Sequence, residues 1–357
     1  MPQTNPAVSV VIPTWKRSGL LRHCLESLRQ QTFADFGVVV VSNGAGSSVE
    51  KLAREFGCTL IRLEENRGFA AAVNVGIAAA RSKYVLLLND DVELERGWLG
   101  HMVALLHERA DLSFCCGKIL RPDGRTLDNA GDALAMGGSA WRLGFGRTDA
   151  AEFDVPRQLL AVSATAALFR RAALEKIGGF DEDFVSYLED MDWSLRALRG
   201  GLRGFYWPQA VARHHGGATL GGAESPQVFE LLTRNQLLLL AKHYPARYWL
   251  RLAPRILWAQ TLWAMMAIGK GRVGAYCKGI LRFLGNLLRA LRKRRRWSGE
   301  QRQALWSWLR ESEATIYADV ESREARDTFW RMYFALFAPR RGRTAAAKAG
   351  FGRMPSR

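Results

Sequence analysis

The stretch Tyr84-Val85-Leu86-Leu87-Leu88-Asn89-Asp90-Asp91-Val92-Glu93 runs an apolar segment of strand length into three polar side chains that can all bind a cation. Buried strands of parallel sheets read as continuous apolar runs, and ligands of open α/β sheets sit off the carboxyl ends of such strands. Carboxylate and amide oxygens at that edge suit Mg2+ or Mn2+, which bridge a protein to the phosphates of a ligand. The competing reading is a plain strand-to-loop transition with Asn and Asp as turn formers.

The elements around it decide between the two. Ala7–Pro13 reads as a strand, followed by a helix with Ser18 as its N-cap and Leu20, Leu21, Cys24, Leu25 and Leu28 at helical spacing. Phe36–Val41 and Cys58–Leu63 read as further strands, separated by a helix through Val49, Leu52, Ala53 and Phe56, and an Ala-rich helix ends at Ala80. Four strands alternating with three helices predict a doubly wound, mostly parallel sheet. Right-handed crossovers then bring the loops at Thr14, Ser42 and Asn89 to one edge. That convergence favours a ligand site over a turn.

Downstream, 117–157 is rich in Gly, Asp and Arg with weak periodicity, and reads equally as a flexible active-site loop or a surface excursion. Leu159–Arg170 is strand-like. Gly178-Gly179 ends a short helix, and Glu189-Asp190-Met191-Asp192 opens another, where carboxylates also suit the helix dipole. Asp181, Glu182 and Asp183 read as loop structure, with acceptor contact as the alternative. Gly204–Pro208 is a further strand, ahead of His214-His215-Gly216-Gly217.

The order of these signals resembles a family 2 glycosyltransferase, inverting and of GT-A type, and within it the rhamnosyltransferase-like branch. The resemblance rests on Val10–Thr14, Asn66-Arg67-Gly68-Phe69 with Asn74-Val75-Gly76, Leu88-Asn89-Asp90-Asp91, Gly178–Glu182, Glu189–Asp192 and His214–Gly217, over roughly residues 8–245. It implies a catalytic domain over 1–245 that binds a nucleoside-diphosphate sugar through Pro13, Thr14, Arg17, Ser42, Asn66, Arg67, Gly68, Asn74, Asn89 and Asp90. Asp91 would be the direct metal ligand, with Asn89 and His214 beside it and His215 as the alternative to His214. Asn89 stands where many members carry Asp. Ser42 stands where many carry an Asp that reads the base, so it weakens any assignment of uracil or thymine. Asp190, in the Glu189-Asp190 pair, takes the place of the general base, and Ser163, Ala164 and Thr165 that of an acceptor loop. The implied donor sugar is rhamnose or another deoxyhexose, and the implied acceptor a glycan or lipid-linked glycan. The chemistry asks for the same types: a divalent cation to neutralise the leaving diphosphate, and a carboxylate to take the acceptor's proton.

Charge divides the chain. Of the 51 Lys+Arg, 26 lie in 231–357, against seven acids, and 231–299 holds 15 basic residues and no acid. Such a tail implies an anionic partner. Tyr276, Ile280, Phe283, Leu284, Leu287, Leu288 and Leu291 fall on one helical face, with Lys278, Arg282, Arg289, Arg292 and Lys293 on the other. That is the pattern of an interfacial membrane helix, and Trp249, Trp258, Trp263 and Trp297 suit an interfacial belt. A solvated basic face on a packed bundle is the alternative. Ile256–Gly269 is apolar but shorter than the ~20 residues of a bilayer crossing.

The expected organisation is a catalytic domain over 1–245, a basic amphipathic helical region near a membrane over 246–338, and a disordered end over 339–357. Ser298 is expected to cap a helix over Glu300–Ser312. The five cysteines lack metal-ligand spacing and fit a reducing cytosol, and no basic-then-apolar leader suggests export. The expected location is therefore cytoplasmic, peripheral on the inner face of the plasma membrane. Two other functions fit parts of the chain. A nucleic-acid-binding protein would explain the pI of about 10.2 but not the strand edge. A sugar nucleotidyltransferase would want a Gly-rich loop where Thr14-Trp15-Lys16-Arg17 stands. Nucleic acid is therefore not an expected partner.

Overall fold

The computed structural model describes residues 5–216, 225–323 and 327–339; the expected disorder of Arg340–Arg357, and Gly217, lie outside them. The first half alternates as the apolar runs require: β1 (Val8–Thr14), α1 (Ser18–Arg29), β2 (Phe36–Asn43), α2 (Ser47–Glu55), β3 (Thr59–Leu63), α3 (Phe69–Ala79) and β4 (Tyr84–Leu88). Strands β3, β2, β1 and β4 lie side by side and parallel, with Thr14 opposite Ser42. Every residue of β1 and β4 is buried. Gly76 lets α3 lie close on β1, since a Cβ there would stand 2.2 Å from Val11 Cγ1.

Beyond β4 the sheet becomes mixed. Next come β5 (Val92–Leu94), α4 (Trp98–Glu108), β6 (Phe114–Leu120), β7 (Leu127–Asn129), β8 (Asp132–Leu134), β9 (Ala140–Arg142), β10 (Arg157–Gln158), β11 (Ala166–Arg170), α5 (Arg171–Ile177), α6 (Glu189–Arg199) and β12 (Gly204–His214). β11 inserts antiparallel between β4 and β6, and β12 runs parallel to β6. One apolar layer buries α1, α2 and α4 against the sheet; α3, α5 and α6 cover the opposite face.

The chain closes with α7 (Pro226–His243), α8 (Ala246–Gly269), α9 (Val273–Lys293), α10 (Gly299–Glu321) and α11 (Thr328–Phe337). Ser298 caps α10 in a capping box with Gln301. These helices correct the surface-excursion reading for the middle of 117–157, because 127–139 is buried throughout. The tail supplies its hydrogen bonds. Ser312 Oγ and Glu313 Oε2 accept from the backbone N–H groups of Leu134 and Met136, at 2.6 and 2.8 Å. Trp141 Nε1 donates to Asp319 Oδ2 at 2.6 Å. Buried polar backbone must be paired, so this segment depends on α10.

The tryptophan belt is corrected too. Trp258, Trp263 and Trp297 donate their indole N–H to Met332 O, Thr233 Oγ1 and His243 O, and Trp249, on α8, is half-buried against the neighbouring core. They are structural side chains of the bundle. Ser18 is the first helical residue of α1 and not its cap; Arg17 takes the cap position without a side-chain cap bond.

Candidate active site

Register builds the site. β5 pairs antiparallel with the end of β12, Val92 opposite His214, so the histidine arrives beside the residue that ends the β4 edge. His214 Nε2 lies 3.2 Å from Asp91 Oδ1, and His214 Nδ1 lies 2.9 Å from Asp128 Oδ2. Of the two histidines, His214 is the one beside Asp91, and His215 Nε2 turns to Glu93 at 2.6 Å. Arg17 Nη1 donates to the other oxygen of Asp91 at 2.8 Å, and Thr14 Oγ1 donates to Asp90 Oδ2 at 2.5 Å.

Electrostatics separates the two aspartates. Burial pushes Asp90 up to about 6, only partly offset by Thr14. Burial also pushes Asp91 upward, but His214 and Arg17 outweigh it and hold its carboxyl below the ordinary value. Burial lowers His214, yet Asp128 and Asp91 outweigh that and raise it to about 9.

The residues present fit a divalent cation. Asp91 and His214 form a carboxylate–imidazole pair, and the buried Oδ1 of Asn89 has no hydrogen-bond partner. No group of three or more His, Cys, Asp and Glu stands ready as a cage among the described residues. Mg2+ and Mn2+ rarely need one, since phosphates and water complete their shells.

A single backbone segment joins this edge to the acid pair. Thr165 O accepts from Asn89 N at 2.9 Å, and Ala164 N donates to Asp190 Oδ2 at 3.4 Å. Ser163, Ala164 and Thr165 thus lie between the β4 edge and Asp190. Asp190 also accepts from Met191 N at 2.8 Å, and burial raises its carboxyl above the ordinary range. Glu189 is 6% exposed with an unpartnered Oε2; burial, and then the Asp190 charge, raise it well above the ordinary value. Asp132 joins this group, held up at about 8 by burial and the Asp190 charge.

The loop before Asp190 is strained. Val185, Tyr187 and Leu188 have φ of 63°, 68° and 66°, in the left-handed region that non-glycine residues avoid. Asn235 Nδ2 holds it by bonds to Phe184 O, Ser186 O and Tyr187 O at 3.0, 2.9 and 2.6 Å, with Arg234 Nη2 on Phe184 O at 2.6 Å. Gly68 packs directly on it: φ is 87°, and a Cβ would stand 2.6 Å from Val185 Cγ1.

On the nucleotide side, Asn43 fastens the Asn66–Gly68 loop, donating to Asn66 Oδ1 at 3.0 Å and accepting from Arg67 N at 2.9 Å. Arg67 lies 3.7 Å from Glu182. Pro13 and Ser42 are buried within β1 and β2. Asn74 differs from expectation. Its amide bonds Phe180 O and N, both at 2.8 Å, and Glu182, so it clamps the 179–182 loop instead of presenting itself to a nucleotide.

Sequence reading missed Asp128, Asp132, Asn43 and Asn235. The first two sit in the aperiodic 117–157 segment. Asn43 and Asn235 carry the only available signal, a carboxamide at a strand end and one within an apolar helix.

The parallel sheet and its mixed extension form an α/β fold with the Asp91–His214 pair at the ends of its strands. Residues 9–178 match Glycosyl transferase family 2. The chain is 31% identical over 227 residues to the O-antigen biosynthesis protein RfbC of Myxococcus xanthus, covering 60% of this chain and 18% of RfbC. Two solved structures share the fold. S. aureus TarS has a TM-score of 0.52 at 17% identity, covering 87% of this chain and 53% of its own. GalNAc-T7 with UDP, GalNAc and Mn2+ has a TM-score of 0.57 at 14% identity, covering 80% and 57%.

Proposed function

We propose that the chain catalyses metal-dependent, inverting transfer of a sugar from a nucleoside diphosphate to a hydroxyl of a glycan or lipid-linked glycan in surface-polysaccharide synthesis. The observation that carries this reading is the segment 164–165, which ties Asn89 at the metal edge and Asp190 to adjacent residues of one strand lead-in.

Asp91 and His214 would hold the Mg2+ or Mn2+, with Asn89 near them. The bound cation supplies Lewis-acid neutralisation of the leaving diphosphate. Thr14 and Arg17 orient the two aspartates. The Asn66–Gly68 loop, fixed by Asn43, borders the nucleotide. Asp190 takes the proton from the acceptor hydroxyl as its oxygen bonds the anomeric carbon. The bond from that carbon to the diphosphate oxygen breaks, and the electron pair leaves with the diphosphate. One displacement inverts the anomeric centre. Ser163–Thr165 borders the acceptor. RfbC's name supports the polysaccharide setting, and the Mn2+ of GalNAc-T7 supports the cation. Rhamnose or another deoxyhexose is the donor sugar that the sequence resemblance favours. Action at the cytoplasmic face of the plasma membrane fits a lipid-linked acceptor.

Thermal-shift screening of nucleoside-diphosphate sugars tests the reading. One donor should raise the melting temperature, more with Mn2+ than without. No response to any nucleotide sugar in either condition would overturn it.

A further inference from the structure

Twelve large hydrophobic side chains stand exposed among the described residues, and nine of them lie on α8 and α9. On α8 they are Leu250, Leu257, Met265 and Ile268; at 100° per residue these form one stripe along the helix. On α9 they are Val273, Leu281, Leu284, Leu288 and Leu291, again one stripe. The stripe is strongly exposed, Leu288 to 70% and Leu250 to 83%. A soluble chain scatters such residues singly; aligned rows mark a contact surface.

The charges of α9 sort differently from the sequence expectation. Arg282 pairs with Glu230 at 2.7 Å, Arg289 with Asp183 at 3.1 Å, and Lys293 with Asp181 and Asp183 at 2.5 and 2.6 Å. These cations face the body, where the acids missing from the tail are supplied. Tyr276, Ile280, Phe283 and Leu287 are half-buried, and the small residues Ala275, Gly279 and Ala290 are buried on the body side. The expected apolar face is therefore split: one part packs on the protein and the part carrying Leu284, Leu288 and Leu291 faces solvent. Lys278 and Arg292 flank that exposed stripe, and Arg247, Arg251, Arg295 and Arg296 are exposed at the ends of the hairpin.

We propose that the solvent face of the α8–α9 hairpin docks on an anionic lipid bilayer, leucines in the acyl boundary and flanking cations among the headgroups. Charge complementarity selects this occupant. With no acid anywhere in 231–299, a second copy meeting this face across a twofold axis would set cations against cations. Nucleic acid would match the cations but leave the leucine rows in water. A bilayer surface satisfies both. No helix among the described residues is long and apolar enough to cross a membrane, so the hairpin lies on the surface.

Sedimentation of the full chain with phosphatidylglycerol/phosphatidylcholine vesicles tests this. The protein should pellet with them, and with phosphatidylcholine alone far less. L284E/L288E should weaken binding at least about tenfold, since each leucine gives up a buried side chain's transfer free energy. Its unchanged melting temperature would show that the exposed positions tolerate the change. K278E/R292E should weaken binding mainly at low salt. Wild-type pelleting by both variants would overturn the proposal. So would a wild-type dimer in light scattering that L284E/L288E dissolves, which would make the face a contact between copies. Binding to empty vesicles needs no donor, so its outcome is separate from that of the transfer reaction.

Discussion

His214 stands between two carboxylates, with Asp91 Oδ1 3.2 Å from its Nε2 and Asp128 Oδ2 2.9 Å from its Nδ1. A histidine that ligates a metal commonly gives its other ring N–H to a carboxylate, which fixes the ring and raises its basicity. Asp128 would fill that place for a cation held by His214, and Arg142 at 3.0 Å holds Asp128 in turn. Asp128→Asn should weaken Mn2+ binding by about 10–100-fold, read by calorimetry of the metal with the nucleotide diphosphate. Asp91→Ala should remove the metal dependence of donor binding altogether. Undiminished Mn2+ affinity in both variants would take the cation away from this edge.

Asp190→Asn keeps a side-chain oxygen for the Ala164 N–H but removes the proposed base. Turnover should fall by roughly 10²–10⁴-fold while donor affinity stays near wild type. The active form is the carboxylate, and burial holds its pKa above the ordinary 3.8. kcat/KM should therefore rise with pH through an acid limb displaced upward from the usual carboxylate range, and that limb should vanish in the variant. Near-normal turnover of Asp190→Asn would remove it from the proposed role.

How far these features were legible in the sequence follows from the range of their interactions. β1 to β4 announce themselves because each is an unbroken apolar run ended by polar residues, and local chemistry suffices. Asp91 and Asp190 were legible as short motifs at element ends. Asp128 was not, because the segment around it satisfies its backbone with Ser312, Glu313 and Asp319, more than 170 positions away. Its burial thus leaves no periodic trace. The α9 cations misled for a related reason: their acids, Asp181, Asp183 and Glu230, belong to the body. Asn74 looked like a site residue because an amide on a helix near a binding loop has no local sign of the loop it clamps.

Asp192 anchors the start of α6 to the tail. It is fully buried, 2.6 Å from Lys242, 2.8 Å from Arg196 and 2.8 Å from His243. Burial alone would raise it, but Lys242, Arg196 and His243 overcome that and hold it well below 3.8. Burial lowers His243 below 6.5 despite Asp192. Both shifts mean that the unfolded chain binds more protons than the folded one as pH falls, so stability falls with it. Loss should begin below about 6.5 from His243 and steepen below about 4 from Asp192. Asp192→Asn should cost about 3–5 kcal/mol by stranding its buried partners and should flatten the steep acid limb in denaturant titrations.

The strained loop gives a prediction that separates positioning from folding. Left-handed non-glycine residues cost of order 1–3 kcal/mol each and persist only where the surroundings over-determine them. Val185, Tyr187 and Leu188 adopt that backbone immediately before Glu189 and Asp190, and the Asn235 carboxamide is bonded to three carbonyls of the same loop. Without it, the loop can relax toward ordinary backbone angles, and that relief offsets part of the lost hydrogen bonding. Asn235→Ala should thus lower the melting temperature less than its three lost bonds would suggest. Asp190 would meanwhile move off its position, and a displacement of about 1 Å can reduce turnover about 10²-fold. Steady-state kinetics beside a melting curve distinguishes the cases: a large fall in kcat with donor affinity retained assigns Asn235 to positioning. A loss of stability with kcat unchanged in the folded fraction would make it a packing residue only.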